Sequence, residues 1–331
     1  MKLSIIIICW NDLKMIQGCL DSIYQGTHAT TFEIIVSDNG STDRSVEFIR
    51  AHYPEVRVIE NNANLRFAKA NNVGIRASRG EYVLILNPDT IIHEGTLDKL
   101  VTFADEHPKA GAFGCKVLNP DGSYQESARP FPTLRGEWIA ALYLRPLAYL
   151  SDWFISDTYT GWKGDTQRTV DWLSGCSLFV RRDALERISG FDDQFFYYYE
   201  DVDLCRRIWQ AGYTILFTPK MSITHLGGQS TKRFPIAFQL DGEITKYRYF
   251  YKYFGKRGVR ACRRVSLISL FIRLSGYRCL QLVVPSDNQK PRLEALRVTY
   301  EWNKRVDSVR LVENGEEPKL TLEPLVRVLE R

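Results

Sequence analysis

The sequence predicts an α/β fold built on a mostly parallel, Rossmann-like sheet, followed by a basic, helical C-terminal extension. Three observations carry that reading. The first hundred residues alternate short apolar runs with stretches of helical spacing. Turn residues close two of those runs, at Asp38-Asn39-Gly40 and Asn87-Pro88-Asp89. Past Pro235 the chain turns to a long helical pattern, and residues 246–292 hold twelve basic residues against a single acid, Asp287.

Leu3–Cys9 is a continuous apolar run, the pattern of a strand buried on both faces. Asp12–Gln25 follows with helical spacing through Leu13, Ile16, Leu20, Ile23 and Tyr24. Phe32–Ser37 reads as a second strand, Thr42–His52 as a helix that Ser41 or Thr42 caps, and Val56–Glu60 as a third strand. An Asn-rich loop leads into a helix over Phe67–Ser78, and Tyr82–Leu86 is another apolar strand. Strands joined by helices of this length imply right-handed crossovers, and ligands of such sheets sit at the carboxyl ends of strands. Asp38 and Asp89 both fall at such ends. From about residue 110 the pattern is mixed. Ala112–Leu118 reads as a strand, Asn119-Pro120-Asp121-Gly122 as a turn, and Thr133–Leu150 as an aromatic-rich helix. Val170–Val180 holds two short strands broken at Ser174-Gly175. Asp183–Ile188 and Val202–Ala211 read as helices, Thr214–Thr218 and Ser222–His225 as strands. Residues 236–282 are helical in pattern, and a charged helix and tail follow Pro285.

A length of 331 residues allows one large domain or two, and the change of character places the boundary at 1–230 and 231–331. With 44% hydrophobic residues the bulk of the chain is not disordered. The net charge of +5 is concentrated in the tail, which excludes a uniformly basic nucleic-acid binder. Seven cysteines without a C-x-x-C pair argue against a zinc site and a disulfide scaffold. The N-terminal run MKLSIIIICWNDL lacks a small-residue cleavage site and reads as a strand, not a signal peptide. No uninterrupted apolar stretch reaches the roughly 18 residues of a membrane span, so the expected compartment is the cytoplasm.

Five motifs carry chemistry, and each has a plainer reading beside it. Asp38 in VSDNGSTD suits a tight turn as well as a carboxylate that recognises a base or ribose. Asn64, Asn71 and Asn72 crowd a loop-to-helix junction, where Asn serves capping or nucleotide binding. Asp89 in LILNPDT is a turn residue or a ligand for a hard divalent cation. Glu200, Asp201 and Asp203 precede a helix, where acids stabilise the helix dipole or divide into a cap and a general base. The aromatics Phe196–Tyr199 before them are either core or a sugar-stacking face. His225 in SITHLGG is a core histidine or the residue that completes a site begun by Asp89.

Order and spacing are more specific than any one motif. The series IIIICWNDLKMIQGCLDSI, EIIVSDNGSTDRS, NLRFAKANNVGI, GEYVLILNPDT, WLSGCSLFVRRDAL, GFDDQFFYYYEDVDLCRRIWQAGY and THLGG resembles the inverting glycosyltransferases of family 2, which have the GT-A (nucleotide-diphospho-sugar transferase) fold. It is most similar to the bacterial rhamnosyltransferase branch, in which the metal motif is written N-P-D instead of D-x-D. The resemblance spans residues 3 to about 230. It implies that Asp38 recognises the donor base, that the backbone near Cys9–Asn11 lines the nucleoside, and that Asn64, Phe67 and Asn71 lie in the loop closing over the nucleotide. Asn87 and Asp89 fall where the D-x-D acids bind Mg²⁺ or Mn²⁺ and the diphosphate, with His225 reaching the same place. Asp201 corresponds to the general base and Glu200 to its orienting partner. Trp172, Gly175 and Cys176 fall in the segment that shapes the acceptor and donor-sugar pocket. Two positions depart from the pattern: Asn87 replaces a carboxylate, and Arg66 stands where a small residue is usual.

The resemblance implies a single in-line displacement, with Asp201 taking the acceptor proton while charge on the leaving diphosphate is stabilised around Asp89 and His225. The expected donor is dTDP-L-rhamnose and the expected acceptor a cell-surface polysaccharide or polyprenyl-diphosphate-linked glycan. A UDP-sugar donor (galactose or N-acetylglucosamine) is the alternative within the family, and a catalytically silent nucleotide-sugar-binding scaffold the alternative outside it. A nicotinamide oxidoreductase would need G-x-G-x-x-G after the first strand, where the sequence reads CWNDLKMIQG. Residues 246–284 interleave Tyr and Phe with Lys and Arg and then become apolar, which suits either a membrane-interface helix or a helix packed on its neighbour. The former places the protein at the inner face of the cell membrane. No nucleic-acid motif is present, and no feature specifies an oligomeric state.

Overall fold

The computed structural model describes residues 1–227, 235–283 and 290–315. Gly228, Pro285 and the tail beyond residue 315 lie outside the described residues. The chain divides into two compact units. The first comprises Met1–Phe131, Gly161–Asp193 and Glu200–Gly227; the second comprises Pro132–Thr160, Gln194–Tyr199 and the described part of Gly228–Arg331.

In the first unit β1 (Leu3–Cys9), α1 (Leu13–Gly26), β2 (Phe32–Asp38), α2 (Ser45–His52), β3 (Arg57–Glu60), α3 (Arg66–Ala77) and β4 (Tyr82–Leu86) alternate in order. β5 (Thr90–Ile92), α4 (Thr96–Glu106), β6 (Ala110–Leu118), β7 (Tyr124–Gln125) and β8 (Ala128–Arg129) follow. The sheet runs β3-β2-β1-β4, continues through β11 (Ser177–Arg181), β6 and β12 (Thr214–His225), and ends at β5. Pairing is parallel from β3 to β4 and between β6 and β12. β11 is antiparallel to β4 and β6, and β5 to β12. β1 and β4 are apolar without alternation because helices cover both faces. Each fully buried Ile or Leu there, such as Ile5 and Leu84, contributes about 1.5–3 kcal/mol. α6 (Arg182–Ile188) and α7 (Glu200–Gln210) complete the unit. β10 (Trp172–Leu173) pairs with β8 in a second small sheet, and β9 (Arg168–Thr169) pairs with β12.

In this unit α2 and β12 differ from the sequence reading. α2 starts at Ser45 because Arg44 is left-handed, with φ of 67°. Neither Ser41 nor Thr42 caps it: the Ser41 hydroxyl accepts the Asn11 N–H at 2.9 Å, and Asp43 accepts the N–H of Ser45 at 3.1 Å. The two strands expected at Thr214–Thr218 and Ser222–His225 form one strand, interrupted in register between those stretches.

The second unit is helical. α5 (Leu134–Ala141) is capped by the Thr133 hydroxyl. It stops before the expected Leu150 because Tyr143 is left-handed and Pro146 lacks the donor a helix needs, so residues 145–149 form a 3-10 turn. α8 (Pro235–Val283) bends at Gly255, whose φ of 65° no helical residue adopts. α9 (Lys290–Arg305) and α10 (Ser308–Glu313) follow. Leu270, Leu274 and Leu296 form the contact of α8 with α9, and the Tyr247 hydroxyl donates to Asn303. Phe195 and Phe196 are buried, Arg248 lies 4.3 Å over the Phe196 ring, and Tyr199 packs 5.3 Å from Tyr249. The 194–199 aromatics are thus largely core of this unit, Tyr198 being the exposed one. Among the described residues no helix is long and apolar enough to cross a membrane.

Candidate active site

The strand registers gather the motif residues at one end of the first unit's sheet. Cys9 stands opposite Asp38, Leu86 opposite Ser177, and His225 opposite Thr90. The residues just beyond these pairs, Asn11, Asn87, Asp89, Gly175 and Cys176, therefore share that edge.

Asp38 is 2% exposed. Its Oδ2 accepts the N–H groups of Gly40 and Ser41, both at 3.0 Å, while its buried Oδ1 has no partner in the protein. A buried acceptor left unpaired costs about 1–3 kcal/mol, which a donor group on a ligand would offset. Asn11 is left-handed (φ 58°), and its Oδ1 accepts the Thr42 N–H at 2.7 Å. Burial pushes the Cys9 thiol up to about 12, so it is an apolar wall, not a nucleophile.

Across the loop, the Asn64 side chain accepts the Arg66 N–H at 2.9 Å. Asn71 is fully buried, its Nδ2 donating to the Phe67 carbonyl at 3.0 Å and its Oδ1 unpartnered. Asn72 is structural instead: it exchanges hydrogen bonds of 2.9 Å with the Phe191 backbone and donates to Asp193 at 2.7 Å. The Phe67 ring packs edge-on to Phe191, and a Cβ on Gly175 would meet that ring at 3.1 Å. Gly175 is the residue that lets the two segments approach. Trp172 is held by its indole N–H, which donates to the Pro130 carbonyl at 2.9 Å. Cys176 is buried, with its thiol pushed up to about 12, and its carbonyl accepts the Asn87 N–H at 3.0 Å.

Asp89 and His225 meet: Nε2 of the imidazole lies 3.2 Å from Asp89 Oδ1 and 3.3 Å from Asn87 Nδ2. Both side chains are 13% exposed. On the other side of the ring, Nδ1 is 2.6 Å from Gln125 Oε1. Among the described residues no three His, Cys, Asp or Glu side chains converge on one point. One carboxylate and one imidazole fit a divalent cation whose remaining positions are filled by water and diphosphate oxygens, the usual habit of Mg²⁺.

Glu200 and Asp201 open α7. Asp201 Oδ2 accepts the Gly175 N–H at 3.0 Å, and Oδ1 accepts the Val202 N–H at 2.8 Å. Burial raises the Asp201 carboxyl above its ordinary value; these two hydrogen bonds and the charge of Arg129 oppose the rise. Glu200 is raised further, by burial and then by the charge on Asp201, and its Oε2 is buried without a partner. Burial and mutual repulsion thus disfavour charge on both carboxyls, more strongly on Glu200, while the backbone donors favour the charged form of Asp201. Asp203, also in this turn, is spoken for by Arg207 at 2.7 Å.

Two residues here escaped the sequence reading. Arg129 pairs in register with Trp172, lies 6.0 Å from its ring and bears on Asp201. Gln125 places its Oε1 2.6 Å from His225 Nδ1. Both sit in the short segment YQESAR, and the partners that reveal them, His225 and Trp172, lie far along the chain.

A family profile for glycosyl transferase family 2 matches residues 4–188, more than half of the chain. The chain belongs to glycosyl transferase family 2. A second profile, the N-terminal domain of galactosyltransferase, matches residues 163–228. The family 2 enzyme is 36% identical over 216 residues to the N-acetylglucosaminyl-diphospho-decaprenol L-rhamnosyltransferase of Mycobacterium tuberculosis, covering 61% of this chain and 69% of that one. It is 27% identical over 213 residues to the rhamnosyltransferase WbbL of Escherichia coli K12, covering 61% and 76%. Among solved structures it is similar to the mannosyltransferase PcManGT from Pyrobaculum calidifontis in complex with GDP-Man and Mn²⁺, with TM-score 0.55, 17% identity and coverage of 92% and 88%. It is also similar to S. aureus TarS in complex with UDP-GlcNAc, with TM-score 0.51, 17% identity and coverage of 93% and 84%. At such identities the solved structures speak for the GT-A fold alone. The chain is thus a GT-A glycosyltransferase with rhamnosyltransferase relatives.

Proposed function

We propose that this family 2 enzyme transfers L-rhamnose from dTDP-L-rhamnose, with inversion, to a cell-surface polysaccharide or polyprenyl-diphosphate-linked glycan. The observation that carries the chemistry is the Glu200–Asp201 pair, with Glu200 buried and Asp201 Oδ2 accepting the Gly175 N–H at 3.0 Å. Asp201 receives the proton of the acceptor hydroxyl as it attacks the anomeric carbon, and its raised pKa makes it a stronger base than a solvated aspartate. Asp38 recognises the base through its unpaired Oδ1, and Asn11, Asn64, Phe67 and Asn71 bound the nucleotide. Asp89 and His225, with Asn87 beside them, would hold Mg²⁺ or Mn²⁺. Such a metal would supply Lewis-acid stabilisation of a departing diphosphate. Trp172, Gly175 and Cys176 shape the pocket for the sugars.

The donor assignment is supported by the two rhamnosyltransferase relatives. It is tested by titrating the protein with dTDP-rhamnose, UDP-glucose, UDP-galactose, UDP-N-acetylglucosamine and GDP-mannose, each with Mg²⁺ or EDTA. Selective, metal-sensitive binding of dTDP-rhamnose is expected. Preference for a UDP-sugar would move the donor while keeping the mechanism, and binding of none would overturn all five donors in favour of one outside the panel.

Peripheral membrane contact belongs to this reading, over a narrower surface than residues 246–284. Lys246 is buried between Glu243 at 2.7 Å and Glu137 at 4.0 Å, and Tyr247, Tyr249 and Phe250 are core. The exposed stripe of α8 runs through Arg257, Arg260, Arg264, Ile268, Phe271 and Arg278, at helical spacing. Leu142, Tyr143, Tyr149, Leu150 and Trp153 of the same unit are also exposed, Leu150 by 83%. Arginines flanking aromatic and aliphatic side chains suit an anionic bilayer surface. Co-sedimentation with vesicles containing phosphatidylglycerol is expected, and L150E/W153E should reduce it several-fold without changing donor binding. Equal sedimentation of wild type and variant would refute the surface.

A further inference from the structure

We propose that Gln125 is a positioning residue that fixes the tautomer of His225, leaving the Nε2 lone pair directed at the Asp89 carboxylate as half of a cation site. The inference rests on the metal reading above and adds a residue to it.

The direction of every proton follows from one end of a hydrogen-bond chain. Asp121 is held below the usual carboxylate range by hydrogen bonds from Ser123, so its oxygens only accept. The Ser123 hydroxyl donates to Asp121 Oδ1 at 2.6 Å and therefore accepts from Asn119 Nδ2 at 2.9 Å. That sets the Asn119 amide, whose Oδ1 accepts Gln125 Nε2 at 2.8 Å. Gln125 Oε1 is then turned to the imidazole, 2.6 Å from Nδ1. An amide oxygen has no proton to give, so Nδ1 carries the hydrogen and neutral His225 has its lone pair on Nε2. That lone pair and Asp89 Oδ1 lie 3.2 Å apart. Two acceptors at this distance repel; the Asn87 amide, 3.3 Å from Nε2, can donate to the lone pair in the metal-free protein, and a cation between the two acceptors would take its place. The turn Asn119-Pro120-Asp121-Gly122 thus determines which ring nitrogen faces the site. Partners of this kind typically alter metal affinity about 10–100-fold.

The test uses full-length protein labelled with ¹⁵N-histidine, with the His225 signals assigned by their loss in H225Q. Long-range ¹H–¹⁵N spectra of the metal-free protein at pH 8 should show the Nδ1–H tautomer. Q125L should shift His225 toward Nε2–H, and Q125E, whose carboxylate accepts the same proton, should keep Nδ1–H. Mn²⁺ binding in the presence of dTDP, followed by electron paramagnetic resonance, should weaken about 10–100-fold in Q125L and recover in Q125E. An Nε2–H tautomer in the wild type, or an unchanged tautomer in Q125L, overturns the proposal. Wild-type Mn²⁺ binding that Q125L leaves unaltered overturns the positioning role while sparing the metal site. Absence of Mn²⁺ binding in the wild type overturns both.

Discussion

Asp201→Asn is expected to lower kcat by roughly 10²–10⁴-fold while leaving the affinity for nucleotide-sugar within a few-fold of wild type. Asn keeps one oxygen for the Gly175 N–H and loses the bond from the Val202 N–H, a cost of about 1 kcal/mol that should leave α7 folded. What is lost is the group proposed to take the acceptor proton. The pH dependence adds a second readout. A carboxylate acts as a base only when ionised, and burial raises the Asp201 pKa. Activity should therefore fall on acidification at a pH above the ordinary carboxylate range, and kcat/KM should rise with pH through that value. Single-turnover measurements with the donor pre-bound separate the chemical step from binding. Wild-type turnover in the Asn variant would remove Asp201 from the mechanism.

Asp89→Ala is expected to abolish the metal dependence of donor binding. The carboxylate is one of two side chains offering a metal-binding atom at the Asp89–His225 pair, and neighbouring Asn87 contributes only a neutral amide. Losing it should cost about 3 kcal/mol of diphosphate affinity, roughly a hundredfold. Calorimetric titration of dTDP with Mn²⁺ and with EDTA measures this directly. Equal affinities under the two conditions in the wild type would end the metal assignment. Because the Asp89 carbonyl accepts the Leu226 N–H through the backbone, the substitution should leave the end of β12 paired.

The buried parallel strands were legible in the sequence because their signal is local. Leu3–Cys9 and Tyr82–Leu86 are apolar at every position or nearly so, and the structure places them in the middle of the sheet. Asp38 and Asp89 were legible as strand-end acids for the same reason. Gln125 and Arg129 were not, because what they touch depends on partners a hundred and about forty residues further along, His225 and Trp172. The helix expected through Leu150 ended early at a left-handed Tyr143, a conformation that residue type does not announce. Lys246 read as part of a basic surface, yet two acids distant from each other in sequence, Glu137 and Glu243, enclose it. Composition gives the charge of a segment, and packing decides which charges reach solvent.

The antiparallel β11 has a consequence for the order in which the chain can be assembled. β4 ends at Leu86, but the strand that covers its second edge does not begin until Ser177. β3, β2, β1 and β4 can associate through neighbouring stretches of chain as they leave the ribosome. At about 5–20 residues per second, β4 then waits on the order of ten seconds with Val83, Leu84 and Ile85 at an open edge. An unpaired apolar edge is a template for wrong partners, including another nascent chain. The strand that follows Gly175 and Cys176 is also the one that closes this window, so the first half of the sheet remains vulnerable to misassociation until β11 has been made.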